Sequence, residues 1–354
     1  MKPKLRFSNF INDYEIKDVS DITSNISSGK ISKQLEDGEY NVYGSMGIIG
    51  KSNFYDYAGE KVLVARVGAN AGSVNKINEK CCISDNTLVL EPKDILNDYL
   101  YYALSHYNPK KLIFGSGQPL VTGGQLKKIK LGIPSKEEQL KVSNFLSLLD
   151  KKIELQSKKI EDLKLFKKGL IHQMKKSSNN WSEYKISEIF KITRGVVIPK
   201  TDLLDNKTTE YQYPVYSSQT SNNGILGYDT KFDFDGKYLT WTTDGANAGK
   251  VFYRNGKFRC TNVCGVLYND NNKYVDELTA ELLNYETPKH VSYVGNPKLM
   301  NNVMGDIKIF LPDSNESDRV SNILLIINNK VLLETDKLNK LNKFKKGLMQ
   351  NMFV

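Results

Sequence analysis

The chain carries a long internal repeat. The pentapeptide Phe-Lys-Lys-Gly-Leu at residues 166–170 returns at residues 344–348, which is 178 residues later. The tripeptide Val-Ser-Asn at residues 142–144 returns at residues 320–322 with the same spacing. Solenoid repeats are about 20–50 residues long, so this period indicates a duplicated domain together with the helix that follows it. Two similar halves on one chain predict a protein that meets two similar partners at once.

Length and charge limit the class of protein. With about 100–200 residues per domain, 354 residues predict two domains, in agreement with the repeat. The net charge of +10 and the pI of about 9.1 favour a polyanionic partner, most often nucleic acid. A Lys-rich composition that reflects an AT-biased genome is the alternative explanation. The chain has no apolar run of about 18 residues, so we expect no membrane span, and its basic start lacks the apolar stretch of a signal peptide.

The four cysteines do not form a metal framework. Cys81 and Cys82 are adjacent, Cys260 and Cys264 are separated by three residues, and the chain has three histidines. Structural zinc sites combine separated pairs of Cys or His ligands. We therefore expect no metal site, but buried free thiols in a reducing cytosol and thus a cytoplasmic protein.

The two halves show the same order of predicted elements. Alternating apolar residues predict an opening strand, and a Gly-Ala-Asn-Ala-Gly turn, a helix and a closing strand before a proline follow it. In chain order these elements lie at 14–19, 68–72, 98–106 and 129–134, and again at 184–189, 245–249, 275–285 and 307–312. Enrichment in Tyr, Val and Ile together with regular glycine turns predicts a mixed, largely β domain in each half.

A heptad seam follows each closing proline. Spacings of four and three residues alternate over more than three heptads, which predicts a coiled-coil helix in each half. The seam positions are Leu149, Ile153, Gln156, Ile160, Leu163, Lys167, Leu170 and Met174 in the first copy, and Ile327, Val331, Glu334, Leu338, Leu341, Lys345, Leu348 and Met352 in the second. The polar residues occupy matching steps in the two seams, as one defined pairing register requires. Two equal seams favour pairing with each other, and the alternative is an amphipathic helix that lies on its own domain.

The ends of the first long helix are also predicted. Ser135 and Glu138 have the spacing of a capping box, in which the serine is the N-cap residue. The second copy departs from this sequence at residues 314–318, so the first turn of its helix is left open. Residues 177–180, Ser-Ser-Asn-Asn, are expected to end the first helix.

The sequence contains no coherent active site. Residues 44–52 resemble a P-loop, but five residues separate Gly44 from Gly50, whereas the motif requires four. The methyltransferase signature Asn/Asp-Pro-Pro-aromatic is absent, as are the nucleophile elbow Gly-x-Ser-x-Gly and the zinc motif His-Glu-x-x-His. We therefore predict a binding protein rather than an enzyme.

Polar side chains on the predicted loops are candidates for DNA contacts. Cations and hydroxyls suit phosphates, Asn and Gln suit adenine, and Arg and Lys suit guanine. The candidates are Ser45, Lys51, Arg66, Asn70, Gln118, Thr122, Ser218, Gln219, Asn222, Asn223, Thr243, Asn247, Asn296 and Lys298. Any one of these residue types is more often a turn-former than a base reader.

The shared and the divergent candidates have different expected roles. Asn70 and Asn247 occupy the same position of the shared turn, which favours a scaffold or backbone role for them. Specificity is expected where the copies disagree. The divergent positions are Met46 beside residues 219–223, and residues 66–67 beside residues 243–244.

These features together resemble the specificity subunit of type I restriction–modification systems, over essentially the whole chain. The motifs that carry the resemblance are Pro-Lys-Leu-Arg-Phe at 3–7, Tyr-x-Val-Tyr followed by Gly-Ile-x-Gly in both halves, Ile-Pro-Ser-Lys-Glu-Glu-Gln at 133–139, and Leu-Leu-Asp-Lys-Lys-Ile-Glu at 148–154. The resemblance implies an α/β (α+β) fold with two β-rich target recognition domains. Each is followed by a long helix, and the helices pair as an antiparallel coiled coil with pseudo-twofold symmetry. The expected segments are recognition domains at 1–134 and 179–312, and helical spacer regions at 135–178 and 313–354.

The resemblance also implies partners and a division of labour. Each recognition domain would read one half of a bipartite target in double-stranded DNA, while the helices set the spacer and dock two methyltransferase subunits. Motor–nuclease subunits would join for cleavage. S-adenosylmethionine, ATP and Mg²⁺ would belong to these partners, with no cofactor and no catalysis in this chain. The first seam spans 26 residues from Leu149 to Met174, about 39 Å of helix, which is close to one turn of DNA at about 34–36 Å.

Two other functions compete with this interpretation. A bifunctional restriction enzyme would carry its own chemistry, and the missing methyltransferase and nuclease motifs argue against it. A pure assembly scaffold would need neither two β-rich domains nor divergent polar loops. Steep salt dependence of DNA binding, which phosphate neutralisation predicts, separates a DNA-binding subunit from a scaffold.

Overall fold

A computed structural model describes residues 1–30, 36–45, 47–113, 118–177 and 181–354. Two compact units make up the chain. The first comprises residues 1–158 and 335–354, and the second comprises residues 159–334. Each unit therefore contains one β-rich part and a portion of each long helix. The predicted specificity position Met46, the predicted helix end at 178–180 and the segment boundary at 178 lie outside the described residues, and the predicted four-part division stays a prediction.

The described residues of the first unit form short strands in three small sheets. Its strands are β1 (Glu15–Asp18), β2 (Thr23–Ser28), β3 (Tyr40–Gly44), β4 (Gly47–Ser52), β5 (Glu60–Ala65), β6 (Val74–Asn78), β7 (Cys81–Ile83), β8 (Thr87–Pro92) and β9 (Lys130–Ile133). The largest sheet has the antiparallel order β2-β8-β5-β6, and a second has the order β4-β3-β7, in which β3 and β7 run parallel. The opening and closing strands β1 and β9 pair antiparallel, which ties the two ends of the β-rich part together.

The second unit repeats this topology. Its strands are β10 (Ser182–Lys185), β11 (Lys191–Arg194), β12 (Tyr213–Tyr216), β13 (Ile225–Asp229), β14 (Phe234–Thr242), β15 (Val251–Cys260), β16 (Cys264–Tyr268) and β17 (Lys308–Leu311). The order β11-β16-β14-β15 repeats the main sheet of the first unit, and β10 pairs with β17 as β1 pairs with β9. Because β15 is long enough to replace both β6 and β7, it also pairs in parallel with β12 and joins the hairpin to the main sheet.

Apart from one helical turn after the opening strand of the second unit, the helices follow the strands in the same order in both units. The α-helices are α1 (Asn97–Tyr107), α2 (Gly123–Lys127), α3 (Lys136–Ser177), α4 (Ile186–Ile189), α5 (Glu277–Glu286), α6 (Asn301–Asp306) and α7 (Ser314–Met352), and short 3-10 turns lie at Pro109–Leu112, Lys200–Asp202, Ser221–Gly224 and Thr287–His290. The helices predicted at 98–106 and near 275–285 are confirmed as α1 and α5. None of the helices in the described ranges combines the length and apolarity needed to cross a bilayer.

The predicted strand at 184–189 is wrong in its second half. The strand ends at Lys185, and residues 186–189 form the helical turn α4. The carboxylate of Glu188 accepts a hydrogen bond from the amide of Lys185, and the amide of Ile186 donates to the carbonyl of Ile307. These bonds to the backbone favour a turn over the alternating pattern, which local sequence alone cannot distinguish.

The capping box predicted for α3 is only half present. Ser135 Oγ accepts from the amide of Glu138 at 3.4 Å. The Glu138 carboxylate does not reach back to the cap, because it is bonded to Arg6 and Tyr14 in the buried interior. For α7, whose start was left open, Asp313 takes the cap role, with its Oδ1 accepting from the amide of Glu316 at 3.0 Å.

The two heptad seams are confirmed by burial. All sixteen predicted seam positions are buried or partly buried, whereas most residues between them are exposed. In the first unit Lys345 of α7 forms an ion pair with Asp150 of α3. In the second unit Lys159 and Lys167 of α3 contact Glu334 and Asn328 of α7, at 2.9 and 3.0 Å. In the second unit the partner on α7 falls in number as the residue on α3 rises, so the paired portions there run antiparallel.

Each unit has its own hydrophobic core. In the first unit the inner faces of the main sheet and α1 enclose Val62, Tyr99 and Leu104, and the C-terminal end of α7 adds Met352. In the second unit the core is centred on Trp241, which is fully buried. All four cysteines are buried and free, as predicted.

Candidate nucleic-acid interface

In each unit three turns at the ends of strands are joined to one another by hydrogen bonds. They are the hairpin loop between β3 and β4 or β12 and β13, the Gly-Ala-Asn-Ala-Gly turn, and the loop that precedes α2 or α6. The turn before β8 or β16 lies among them and bonds to the first two. Loops held by a rigid scaffold are where binding residues are most often found in proteins.

The backbone hydrogen bonds that join these turns are the same in both units. In the first unit the donor and acceptor pairs are Ser84 and Tyr43, Arg66 and Asn86, Gly68 and Pro119, and Val121 and Arg66. In the second unit they are Thr261 and Tyr216, Thr243 and Val263, Gly245 and Pro297, and Leu299 and Thr243. Gly68 and Gly245 have φ values of +80° and +90°, which glycine adopts at little cost. The two units therefore share one frame and differ in the side chains that the frame carries.

Several candidates of the first unit lie on this frame. Ser45 and Asn70 line the same small pocket, together with Ser73, Asn75 and Thr87. The Thr87 hydroxyl is buried and lacks a protein hydrogen-bond partner in the described part of the chain. Arg66 and Gln118 also belong to the joined turns, since Arg66 bonds through its backbone and Gln118 precedes Pro119. The pocket offers hydroxyl and amide groups, the types that bind base edges and phosphates.

Two other candidates of the first unit have different surroundings. Lys51 pairs with Asn41 at the end of the β3–β4 hairpin remote from its loop, and its ammonium donates to Asn41 Oδ1 at 2.8 Å. Thr122 is the N-cap residue of α2, and its hydroxyl accepts from the amide of Gln125. The structure thus does not bring Lys51 together with the joined turns, and it engages the Thr122 hydroxyl in a helix cap.

In the second unit the candidates of the hairpin loop lie together. Asn222 and Asn223 are exposed and adopt left-handed backbone conformations, with φ values of +48° and +54°. Gln219 bonds to the carbonyl of Ile225 across the loop, and Ser218 is partly buried beside it. Asparagine tolerates this backbone region better than most residues, so the loop presents two adjacent amide side chains to solvent.

The remaining candidates of the second unit gather around the shared turn. Asp244 and Lys298 form a β-bridge and an ion pair of 3.8 Å, while Asn247 and Asn296 are exposed beside them. Thr243 is 0 % exposed, and its hydroxyl donates to Asp244 Oδ2 at 2.6 Å. Thr243 is therefore placed to orient Asp244, and its own side chain does not reach the surface.

Arg254 was not predicted from the sequence, although it supports the hairpin loop. Its guanidinium lies 3.6 Å from the Tyr216 ring centroid and 4.4 Å from that of Phe252, and it is 4 % exposed. Burial lowers the pKa of Arg254 from its usual value. A Cβ added to Gly224 would lie 2.9 Å from the guanidinium, so this glycine allows the loop to close over it. No local pattern marks Arg254, because a single arginine in a strand predicts neither burial nor stacking.

The first unit uses a different contact near the matching hairpin. Tyr43 donates to Glu79 across the sheet, and Asn41 donates to the same carboxylate. The hydroxyl of Tyr43, and then the amide of Asn41, hold the pKa of Glu79 below its usual range. The aromatic residue of the hairpin thus contacts a carboxylate in the first unit and a buried guanidinium in the second. The described residues contain no cluster of side chains suited to holding a metal ion.

A second kind of surface lies on the paired helices. In the first unit Leu148, Leu155 and Phe344 are each more than half exposed. Their equivalents in the second unit are Ile326, Leu333 and Phe166, which are also more than half exposed. Given the seam register, these positions fall on one flank of each helix pair. We call the two sets the flank patches.

Comparisons with known proteins agree with this architecture. The sequence profile of the family "Type I restriction modification DNA specificity domain" matches residues 11–165 and 178–343. A type I specificity subunit sequence of Mycoplasma pneumoniae is 34% identical over 213 residues, which is 58% of this chain and 78% of the relative. The specificity subunit of the type I restriction enzyme MpnII from the same organism is 40% identical over 142 residues, 40% of this chain and 42% of the relative.

A solved structure shows the same fold. The crystal structure of the S subunit of a type I restriction–modification system from M. genitalium superposes with a TM-score of 0.77 at 17% identity. The match covers 100% of this chain and 99% of the solved chain. The two β-rich parts and the long helices are therefore a known arrangement, and the α/β (α+β) fold class predicted from the sequence is confirmed.

Proposed function

This chain belongs to the family of type I restriction–modification DNA specificity subunits, and from this premise we propose that its two units each read one half of a bipartite DNA target. Membership of the family supports a role in DNA-sequence specificity. Each recognised half-sequence would be continuous. A spacer that the protein does not read would separate the two halves. In this proposal the chain supplies specificity, while the chemistry belongs to its partners.

One observation carries the proposal, namely the duplicated frame with divergent side chains. The same four backbone hydrogen bonds join the turns in both units. A shared frame can present any set of side chains to a DNA groove in the same orientation, and differences between the sets then produce different readouts. The exposed amides of Asn222 and Asn223 in one unit and the pocket with Ser45 and Asn70 in the other fit such a division.

The long helices are proposed to set the spacer. Helix α3 has 42 residues and α7 has 39, which correspond to about 63 and 58 Å of helix. Both are continuous and carry a heptad seam along which they pair. A continuous paired helix resists bending and compression better than a loop, so it suits the role of a molecular ruler.

The flank patches are proposed docking sites for two methyltransferase subunits. The two patches are equivalent by sequence, and each exposes large apolar side chains on a helix surface that is otherwise charged. Exposed apolar clusters with polar rims are typical of protein–protein contacts. Equivalent patches suit two copies of one partner. In this proposal motor–nuclease subunits join the assembly for cleavage, and S-adenosylmethionine, ATP and Mg²⁺ are bound by the partner subunits.

The proposal is tested by mapping methylation. The chain is co-expressed with its methyltransferase subunit, and the methylated adenines of the host DNA are located by sequencing. We expect one bipartite motif. Replacing residues 1–134 by the corresponding segment of another specificity subunit should change one half of that motif and leave the other half intact. A change in both halves, or no dependence on this chain, would contradict the proposal.

An assembly scaffold without DNA binding is the competing function. The net charge of +10 favours DNA, because phosphate neutralisation gives affinity that falls steeply with salt. Binding of the assembled complex to duplex DNA is measured between about 50 and 200 mM salt, where several phosphate contacts predict a loss of about a thousandfold. A scaffold would show no duplex binding at any of these concentrations.

A further inference from the structure

The hairpin before α6 ends in two exposed apolar side chains. Tyr293 is 68 % exposed, and Val294, at 93 %, is the most exposed large apolar side chain in the described part of the chain. They lie at the tip of the segment Ser292–Lys298, where Gly295 has a φ of +75°. Isolated exposed apolar residues need no explanation, but an adjacent aromatic and aliphatic pair at the tip of a supported hairpin is a different case.

The hairpin is held firmly at its base. Ser292 and Lys298 exchange two backbone hydrogen bonds of 2.9 Å each, and the carbonyl of Pro297 accepts from the amide of Gly245. The flanking residues Val291 and Leu299 are buried in the core. The indole of Trp241 donates to the carbonyl of Leu299 at 3.0 Å. The two tip side chains thus lie on a hairpin whose base is fixed by hydrogen bonds and by buried side chains.

The tip differs between the two copies, although its anchor does not. Pro119 corresponds to Pro297 at a spacing of 178 residues, and both prolines accept from the first glycine of the shared turn. At the same spacing, the counterpart of Tyr293-Val294-Gly295 is Gly-Ser-Gly at residues 115–117, which lie outside the described residues. At the positions matched by this spacing the apolar pair is therefore present in the second copy alone, whereas the first copy has Ile113 and Phe114 immediately before its Gly-Ser-Gly.

The surroundings of the tip include several of the residues predicted to contact DNA. The hairpin carries Asn296 and Lys298, and its bridge to Asp244 places it beside Asn247 on the shared turn. These polar groups suit base edges and phosphates. Some DNA-binding proteins insert apolar side chains as wedges between two stacked bases. An exposed apolar pair among such polar groups suits this kind of insertion.

We propose that Tyr293 and Val294 enter the DNA as a wedge, opening one base step of the half-site read by the second unit. The inference rests on the proposed function and adds to it a local distortion of the DNA. It assigns readout by deformability to this half-site, because pyrimidine–purine steps open more easily than others. The first half-site is expected to be read without a wedge.

The test uses the complex of this chain with its methyltransferase subunits and duplexes that contain the mapped motif. The fluorescent base 2-aminopurine replaces single adenines in turn through both half-sites, and the adenines that become methylated are probed separately. Unstacking raises its fluorescence. We expect a rise of several-fold at one step in the half-site of the second unit and none in the other half. Probes at the methylated adenines serve as a positive control, since flipping of a target base also unstacks it.

The decisive variant exchanges the tip for the counterpart that the chain itself provides, as the double substitution Tyr293→Gly and Val294→Ser. We expect the fluorescence rise to disappear and the affinity for the specific duplex to fall about tenfold, which is within the range for loss of one stacked base. Binding to non-specific DNA should change less than about twofold, because phosphate contacts remain. The conservative pair Tyr293→Phe and Val294→Ile should retain both the rise and the affinity. The melting temperature of each variant is measured to exclude a loss of folding.

Distinct results overturn the wedge and the proposed function. If the complex binds and methylates its motif but no step in the second half-site is unstacked, the wedge is wrong and the proposed function stands. If the double variant loses methyltransferase binding while its DNA affinity is unchanged, the tip is a protein contact and the wedge is also wrong. If the complex binds no specific duplex at all, the proposed function itself is wrong.

Discussion

At the scale of single residues, the first unit contains a buried ion pair between Arg6 and Glu138. The two groups lie 2.7 Å apart, with side chains 12 % and 1 % exposed, and Tyr14 donates to the same carboxylate at 2.9 Å. The pair links the N-terminal segment to the first turn of α3. A buried carboxylate that loses its cation retains the cost of its burial, so this pair is more sensitive to the loss of one member than to the loss of both.

We expect Arg6→Ala to destabilise the first unit by about 3 kcal/mol, the lower end of the range for breaking a buried pair. Hydrogen exchange of strands β1 and β9 reports this change. Lys4→Ala, a nearby exposed substitution, should cost less than about 0.5 kcal/mol. The double variant Arg6→Met with Glu138→Leu should recover most of the loss. Equal effects of Arg6→Ala and Lys4→Ala would show that the pair does not stabilise the unit.

Glu277 makes stability of the second unit depend on pH. Burial, and then the charge of Glu281, raise the pKa of Glu277 above its usual value. Between the unfolded and the folded pKa the folded state binds more protons, so stability falls as pH rises through that window. The group therefore destabilises the folded unit at neutral pH.

Glu277→Gln should remove this fall, making the variant more stable than the parent chain at about pH 7 and equally stable at acid pH, where the parent carboxyl is protonated. Unfolding is followed by the fluorescence of Trp181 and Trp241, the two tryptophans of the chain, which both lie in the second unit. Glu286→Gln, on the same helix and paired with Lys289, is the matched control and should not raise the stability at about pH 7. A lower stability of Glu277→Gln at neutral pH would contradict this account.

At the scale of elements, the two helix pairs use equivalent lysines in different ways. In the first unit Lys345 pairs with Asp150, which also accepts from Tyr102 of α1. In the second unit the equivalent Lys167 contacts Asn328 and pairs with Glu281 of α5 at 2.7 Å. The carboxylate that pairs with the lysine lies on the long helix α3 in the first unit and on α5 in the second, so the lysine has a partner in both units. Conservation of the interaction, rather than of the residues, explains why both seams retain a lysine.

The flank patches give a prediction about assembly. Phe344→Ser and Phe166→Ser each remove the aromatic side chain from one patch, and the proposed docking then predicts loss of one methyltransferase subunit in each variant. Truncation of an aromatic anchor at an interface commonly costs about 2 kcal/mol or more. The mass of the complex, measured by light scattering, should fall by one subunit in each single variant and by two in the double variant.

Two results bear on this prediction. Phe310→Ser, which removes an exposed aromatic side chain from strand β17 instead of a flank patch, is the matched control and should leave the composition unchanged. Full occupancy in the double variant would place the methyltransferase subunits elsewhere on the chain.

At the scale of the whole molecule, the proposed spacer role predicts a change of the recognised motif. One heptad inserted at paired positions of α3 and α7 adds about 10 Å of helix, equal to about three base pairs at 3.4 Å each. We expect the methylated motif to keep both half-sequences and to gain about three base pairs of spacer, as read by methylation sequencing. A heptad inserted in one helix alone should instead disturb the pairing and reduce methylation. An unchanged spacer would refute the ruler.

Prediction from sequence was most successful where the signal is periodic. The seams, helices α1 and α5 and the paired opening strands were all located, because periodicity reports which face of an element is buried. It was less successful at residues 186–189, where alternation predicted a strand and the backbone bonds of Lys185 and Ile186 form a turn. The small helices α2 and α6 lack enough turns for a periodic signal and were not predicted.

The sequence by itself determined that this chain contains a duplicated domain, and that each β-rich half is followed by a helix with a heptad seam. It also determined which polar loops are candidates for DNA contact. These properties follow from repeats and periods, which are local and visible along the chain. Only the tertiary structure decided that Thr243 is buried, that Glu138 pairs with Arg6 rather than capping its helix, and that Tyr293 and Val294 are raised on a braced hairpin. The physical reason is that burial and pairing depend on neighbours brought from distant parts of the chain. The internal repeat thus shows which parts of the two copies share one backbone frame. Tertiary packing then determines which of their differing side chains are exposed.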